Sequence, residues 1–193
     1  EAPESHVFYT RLKQGEPAQA SAPNVEEFKQ VFLPFLQQGK DVLYLGFSSA
    51  LSGTYHNAAI AAQELAEEIE QAKVTAVDTL CASMGQGLLV DLAVQEKRKG
   101  KSLEEVRDWA EANKLKLCHW FTVDDLFFLK RGGRVSAATA VLGTMMRIKP
   151  VMHVDDQGRL INVAKARGRK ASLDALVDHM EQTAFTPENQ TIY

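Results

Sequence analysis

The residues with the clearest potential for chemistry lie between Gly46 and Tyr55, where the sequence reads GFSSALSGTY. The segment follows an apolar run typical of a buried strand and precedes an alanine-rich pattern typical of a helix. Ligands of open α/β sheets bind at the carboxyl ends of strands. The first turn of a helix adds unpaired N–H groups and a partial positive charge. Gly53 and the hydroxyl groups of Ser52 and Thr54 therefore predict an anion-binding site, with helix capping by Ser52 or Thr54 as the alternative.

The same segment is compatible with a second chemistry, that of a serine hydrolase. It matches the G-x-S-x-G pattern of a nucleophile elbow around Ser48, except that Ala50 stands at the last position. A catalytic triad would also need an acid and a histidine, and Asp124 and His153 follow in the required order. Nothing in the surroundings of these two residues singles them out, so hydrolysis by Ser48 stays an alternative hypothesis.

A second candidate segment is the glycine-rich bend before Arg134, where the sequence reads KRGGR at positions 130–134. Two glycines allow a tight turn, and the guanidinium group of Arg134 can bind a carboxylate or phosphate through two parallel hydrogen bonds. The alternative is a helix C-terminus followed by a solvated arginine.

Composition and motifs narrow the remaining classes of function. The net charge of −3 predicts no nucleic-acid partner, and no apolar run approaches the ~20 residues of a membrane span. The sequence has no dinucleotide-binding or P-loop motif, so no cofactor is predicted. Its five histidines have no metal-ligand spacing, and Cys81 and Cys118 form no CxxC pair. We therefore expect no metal site and no structural disulfide, and we expect Cys81 to be a small buried side chain.

The elements that must position these residues follow from alternating hydrophobic patterns. Helices are predicted over residues 25–38, 54–71, 85–99 and 102–114, with capping boxes at Asn24 and Ser102. Strands are predicted over residues 41–47, 74–77 and 115–122. This alternation predicts an N-terminal α/β domain with a parallel sheet over residues 1–122.

The pattern changes after residue 122 and predicts a smaller α+β domain over residues 123–193. Short helices are expected at 124–130 and 136–143. A β-hairpin is expected from strands 147–154 and 159–166, joined by the turn Asp155-Asp156-Gln157-Gly158. A helix over 170–182 and a final strand over 189–193 complete the prediction.

Several stretches occur in an order and at a separation that resemble one family. They include SSALSGTY at 48–55, VDDL at 123–126, GGRVS at 132–136 and IKP at 148–150, together with FYTRL at 8–12, ASAPN at 20–24 and VDT at 77–79. In these stretches the chain is similar to the DegV family of bacterial fatty-acid-binding proteins, which have the two-domain EDD fold.

The resemblance implies a lipid-binding protein without catalytic activity of its own. Such a cytoplasmic protein would hold one long-chain fatty acid between its two domains and present the carboxylate to a separate fatty acid kinase, whose product enters phospholipid synthesis. Peripheral contact with a membrane would accompany exchange of the ligand. The implied ligand-binding residues are Ser52, Gly53, Ser21, Thr54 and Arg134, and the implied apolar walls come from Phe47, Leu51, Leu142, Met145, Met146 and Ile148.

The chain departs from the family pattern in two respects. The family has a threonine that helps to hold the carboxylate, and Ala20 stands at its position here, so Ser21 would have to substitute or another anionic lipid or phosphate ester would be the ligand. Loss of one hydrogen bond to a charged group corresponds to about 1.5–3 kcal/mol. Family members are also longer at both ends, so we expect the N-terminal part of the first domain and the C-terminal part of the second to be missing.

Overall fold

The computed structural model describes residues 4–135 and 148–192, which form two sheets flanked by helices. The first part of the chain contains α1 (Ser5–Lys13), α2 (Val25–Leu36), β1 (Val42–Gly46), α3 (Thr54–Glu68), β2 (Val74–Asp78), α4 (Ser83–Arg98) and α5 (Leu103–Asn113). Strands β1 and β2 are parallel, with Val42 opposite Val74 and Gly46 opposite Asp78. Because α3 connects them, both strands end at the same edge of the sheet, as the sequence predicts.

Both predicted capping boxes are confirmed. The Asn24 side chain accepts a hydrogen bond from the Glu27 amide (2.9 Å), and the Glu27 carboxylate accepts one from the Asn24 amide (2.7 Å). Ser102 and Glu105 repeat this arrangement at the start of α5. Each box pairs helix N–H groups that would otherwise have no acceptor, which fixes the start of the helix.

The apolar core of this part lies between α2, α3 and the parallel strands. Its buried members are Phe28, Phe32, Leu36, Ala58, Ala61, Ala62 and Leu65. The small alanines of α3 let α2 approach closely, and the Tyr44 ring of β1 packs against both phenylalanines of α2, with centroids 5.2 Å from Phe28 and 6.0 Å from Phe32. This packing fixes the axis of α3, and with it the position of the α3 N-terminus.

The second part contains β3 (Trp120–Phe121), α6 (Leu126–Arg131), β4 (Ile148–Val154), β5 (Leu160–Arg167) and α7 (Arg169–Thr183). The strands form an antiparallel sheet in the order β3-β4-β5. The predicted hairpin is confirmed: the Gly158 amide donates to the Asp155 carbonyl (2.8 Å), and Gly158 has a φ of +74°, which glycine adopts without strain. The fold is therefore α/β, a parallel-sheet part followed by an α+β part.

The chain between α5 and α6 differs from the prediction. In place of a strand over 115–122, a 3₁₀ turn occupies Lys114–Lys116, and only Trp120 and Phe121 form a strand. That strand pairs with β4 and not with the parallel sheet. In this pairing Trp120 lies opposite His153. The Trp120 ring also stacks with two imidazoles, with centroids 4.6 Å from His153 and 3.8 Å from His179 of α7. The domain boundary at 122/123 stays a prediction.

The C-terminal strand predicted over 189–193 is wrong for the described residues. The chain there forms a 3₁₀ turn over Pro187–Asn189, and Gln190 to Ile192 are irregular. Proline lacks an N–H group and has a fixed φ, so it favours the first position of such a turn over a strand ladder. The helix predicted over 136–143 lies outside the described residues.

Candidate anion-binding site at the end of the parallel sheet

The loop after β1 (residues 47–53, the strand-end loop) is tied to the segment that follows β2. The Ser48 amide donates to the Cys81 carbonyl (2.9 Å). One carboxylate oxygen of Asp78 accepts hydrogen bonds from the Ser49 amide (3.2 Å) and the Leu80 amide (3.1 Å). The ends of the two parallel strands therefore form one connected rim.

The predicted residues Ser52 and Thr54 lie together where this rim meets α3. Their hydroxyl oxygens are 2.7 Å apart, and the Ser52 hydroxyl accepts a hydrogen bond from the Thr54 amide at 3.3 Å. The N-cap position is occupied by Gly53, which has no side chain to cap the helix, and Thr54 is the first helical residue. The interpretation of Ser52 or Thr54 as the N-cap is therefore wrong. The Ser52 hydroxyl pairs one amide of the first turn, so it does not remove the anion-binding potential of the others.

The amide groups around Gly53 are the part of the rim open to a ligand. Within the described residues, no hydrogen bond occupies the N–H groups of Gly53, Tyr55 and His56. Gly53 is exposed and has an ordinary φ of −70°, and a Cβ atom there would meet no atom within 4 Å. The glycine therefore provides free space beside the unpaired amides, which is what an anion at a helix N-terminus requires.

Arg134 reaches the strand-end loop from the second part of the chain. Its Nε donates to the Leu51 carbonyl (3.0 Å), and an Nη donates to the Gly132 carbonyl. Arg134 follows the glycine bend at the C-terminus of α6. In this bend Gly133 has a φ of +74°, and the Arg134 amide donates to the Leu129 carbonyl at 3.0 Å. The guanidinium group is thus held by carbonyl oxygens next to the predicted site.

Ser21 lies in an exposed segment that is tied to the first turn of α3. The Asn57 side-chain amide donates to the Pro23 carbonyl at 2.7 Å, which holds residues 20–24 beside that turn. The Ser21 side chain is exposed, and so is Ala20. The structure therefore brings the segment of Ser21, the strand-end loop and Arg134 to one end of the sheet.

Ser48 does not have the surroundings of a nucleophile. Its side chain is fully buried, and its hydroxyl donates to the Gly158 carbonyl at 2.8 Å. His153 Nδ1 lies 2.8 Å from the His119 carbonyl, and the Asp124 carboxylate pairs with Lys149 at 3.1 Å. In the part of the chain that the structure describes, the three residues of the hypothetical triad are thus bonded to other groups.

From the sequence alone, no role is assigned to the polar residues at the end of β2, Asp78 and Thr79. Thr79 is fully buried, donates to the Gly46 carbonyl (2.6 Å) and accepts from the Cys81 amide (3.2 Å). Together with Asp78 it joins the two strand ends, and their position directly after a buried strand is the signal that could have identified them. Cys81 is buried as predicted, and burial raises the pKa of its thiol to about 11.

The predicted apolar walls are described only in part. Leu51 is buried, and Phe47 and Ile148 are half-buried. Leu142, Met145 and Met146 lie outside the described residues. Across residues 4–135 and 148–192, no cluster of three or more histidine, cysteine or acidic side chains has the arrangement of a metal site, and no helix has the length and apolarity to cross a membrane.

Known proteins are similar to this chain in sequence and in fold. A family model described as "Uncharacterised protein, DegV family" matches residues 2–193. A DegV domain-containing protein of Clostridium perfringens is 48% identical over 187 residues, which are 97% of this chain and 64% of the relative. The chain spans just under two thirds of the length of this relative and of a DegV domain-containing protein of Streptococcus pyogenes, 64% and 62%.

Two solved structures illustrate the likeness. A DegV family protein from Thermus thermophilus, described for its fatty acid binding, is 34% identical with a TM-score of 0.78 over 92% of this chain and 61% of its own. The Fatty Acid Kinase (Fak) B3 protein of Streptococcus pneumoniae, loaded with linoleic acid, is 23% identical with a TM-score of 0.81 over 93% of this chain and 63% of its own, and shares the fold. Because the family model covers nearly every residue, the chain belongs to the DegV family.

Proposed function

We propose that this chain is part of a protein that binds one long-chain fatty acid and holds its carboxylate at the strand-end loop. The observation that carries the proposal is the set of unpaired amides at Gly53, Tyr55 and His56, beside the hydroxyl groups of Ser52 and Thr54. A carboxylate can accept hydrogen bonds from two or three such donors. The fatty acid binding described for the Thermus thermophilus protein supports the choice of ligand.

The energetics assign different tasks to the two ends of the ligand. A sixteen-carbon tail buried at about 0.8 kcal/mol per CH2 contributes on the order of 10 kcal/mol before entropy costs. The polar contacts contribute about 1.5–3 kcal/mol for each hydrogen bond to a charged group. Tail burial therefore supplies most of the affinity, and the loop fixes where the carboxylate lies.

We further propose that the acid lies between the α/β part and the α+β part and that its carboxylate is offered to a separate kinase. A carboxylate at an exposed glycine is accessible to a second protein, which a tail in an apolar interior is not. The chain itself has no P-loop motif, so the phosphoryl donor would bind to the partner. We infer no catalytic role for the chain beyond presenting this substrate.

Extraction tests the ligand class directly. The intact protein is purified and denatured, and the extract is analysed by mass spectrometry for lipids. A long-chain fatty acid in the extract, and binding of labelled palmitate by the stripped protein, are the expected results. A different anionic lipid or a phosphate ester would instead point to the alternative that Ala20 suggests, and an empty extract with no palmitate binding would refute lipid binding.

Ser52→Ala tests the carboxylate site. Removing the hydroxyl weakens palmitate binding roughly ten- to a hundred-fold, because a hydrogen bond to a charged group is lost. Ser102→Ala is the control, since it also removes a serine hydroxyl that accepts a hydrogen bond from a backbone amide at a helix start, that of Glu105 in α5. The control should lose about 1 kcal/mol of stability, but only Ser52→Ala should change the dissociation constant. Equal affinities of the two variants would contradict the assigned site.

A reconstituted reaction tests the kinase step. The loaded protein is mixed with ATP and a bacterial fatty acid kinase, and formation of acyl phosphate is followed by trapping with hydroxylamine. Product is expected only when both proteins are present. Product formed by the chain with ATP alone would overturn its non-catalytic role.

A further inference from the structure

Ser48, the most buried polar residue of the strand-end loop, connects that loop to the hairpin turn between β4 and β5. Its hydroxyl donates to the Gly158 carbonyl at 2.8 Å across 110 positions of sequence. Its own carbonyl accepts hydrogen bonds from the amides of Leu51 (3.0 Å) and Ser52 (3.2 Å). One residue thus joins the second sheet to the amide of Ser52.

The contact at Gly158 is too close to be incidental. Gly158 is buried and has a φ of +74°, and a Cβ atom added there would overlap the Ser48 hydroxyl and lie 3.2 Å from the Leu80 Cα. The turn therefore packs closely against both segments that follow the parallel strands, at Ser48 and at Leu80. Only glycine satisfies the backbone angle and the contact together.

A second link from the same part of the chain supports the loop at its other end. Arg134 donates to the Leu51 carbonyl, one residue before Ser52. The strand-end loop is therefore supported by two contacts that come from outside the parallel-sheet part, and neither lies at the open amides of Gly53.

We propose that Ser48 and Gly158 are positioning residues for the carboxylate site, so that the hairpin of the second sheet sets the geometry of the loop that binds the ligand. The inference rests on the proposed function. Ser48 takes this role through the hydrogen bonds of its side chain and its carbonyl, and it touches neither ligand nor solvent. A change at the hairpin would then alter recognition of the carboxylate while leaving burial of the tail intact.

Ser48→Ala tests this role in the intact protein with two probes, palmitate and its neutral methyl ester. Loss of the positioning hydrogen bond should weaken palmitate binding roughly ten-fold and leave methyl palmitate within about two-fold, since the tail sites are unchanged. Ser172→Ala is the matched control, because Ser172 is also fully buried and also donates to a backbone carbonyl, that of Arg169, at 2.8 Å. A residue that only stabilises the fold would change the affinities for palmitate and methyl palmitate by the same factor, and we expect this of the control.

Gly158→Ala provides a second test from the other side of the contact. Gly39→Ala is its control, because Gly39 has nearly the same φ of +71° but no atom within 4 Å of a Cβ position. Both variants carry a similar backbone strain, so a palmitate-specific loss in Gly158→Ala alone is due to the close contacts of Gly158 with Ser48 and Leu80.

The outcomes separate this inference from the proposed function. If the unchanged protein binds no palmitate, the proposed function fails. If it binds palmitate and both Ser48→Ala and Gly158→Ala keep the palmitate-to-ester affinity ratio of their controls, only the positioning role fails. A selective loss in either variant supports the role, and it remains measurable if the other variant does not fold.

Discussion

The parallel pair β1–β2 and the antiparallel sheet β3–β5 differ in how they are covered. Among the described residues, seven buried side chains of α2 and α3 form one cluster over the parallel pair. The cluster on the antiparallel sheet has three buried members, Leu126, Val135 and Met152. Within residues 4–135 and 148–192 the first region thus has the larger buried cluster, whereas the second contributes the Gly158 and Arg134 contacts to the strand-end loop. We therefore expect substitutions in the first cluster to change stability and substitutions at these contacts to change the proposed ligand site.

The largest expected effect is on the first core. Phe32→Ala removes a ring that is 4% exposed and packs against Phe28 and Tyr44, and it should lower the free energy of unfolding by about 3–5 kcal/mol. Met152→Ala, in the second cluster, should lower it by about 2–3 kcal/mol, since a methionine side chain is smaller than a phenylalanine ring. Urea denaturation of both variants gives the comparison. A greater loss for Met152→Ala would reverse the ranking of the two regions.

A smaller effect is expected at the helix starts. Asn24→Ala removes a reciprocal capping box from α2, a helix of 12 residues, and should cost about 1 kcal/mol. Asp125→Ala removes a single bond to the Phe127 amide (2.8 Å) at α6, a helix of six residues, and should cost about 0.5 kcal/mol. Thermal unfolding of the pair measures the difference. Equal losses would show that the reciprocal bond adds nothing.

The smallest effect is expected from surface charge. The Lys73 ammonium holds the pKa of the Glu104 carboxyl at about 2, below its ordinary value of 4.5. Because the folded pKa is the lower one, this contribution to stability is complete above pH 4.5 and is lost as the pH falls toward 2. The pair is exposed, so the change is small.

Glu104→Gln should flatten the pH dependence of stability between those two values. Asp124→Asn is the counterpart in the second region, where Lys149 lowers the pKa of the Asp124 carboxyl. Urea midpoints across this pH range measure both variants. An unchanged slope for Glu104→Gln would contradict the assigned ion pair.

The sequence was sufficient for the elements whose signals are local. The capping boxes at Asn24 and Ser102 and the turn ending at Gly158 depend on residues a few positions apart, and all three are confirmed. The location of the strand-end loop also follows from local rules, because a strand, a small polar loop and a helix meet at residues 46–54.

Long-range contacts were beyond such reasoning. The segment predicted as a strand over 115–122 does contain the two strand residues, Trp120 and Phe121. Its pairing partner, however, is β4, where Trp120 lies opposite His153, 33 positions away in sequence. The neighbours of Ser48 fit the motif of a nucleophile, and only the fold reveals that its hydroxyl is bonded to the Gly158 carbonyl. A residue's partners across 110 positions leave no trace in local periodicity.

The stacking of Trp120 with two histidines gives the second region an intrinsic fluorescent reporter. The chain has two tryptophans, and the other, Trp109, lies on α5 beside the parallel sheet. Each region therefore carries its own fluorophore, and replacing either indole by phenylalanine leaves emission from one region only. The order in which the two sheets unfold can then be followed in unlabelled protein as separate changes in emission wavelength and intensity.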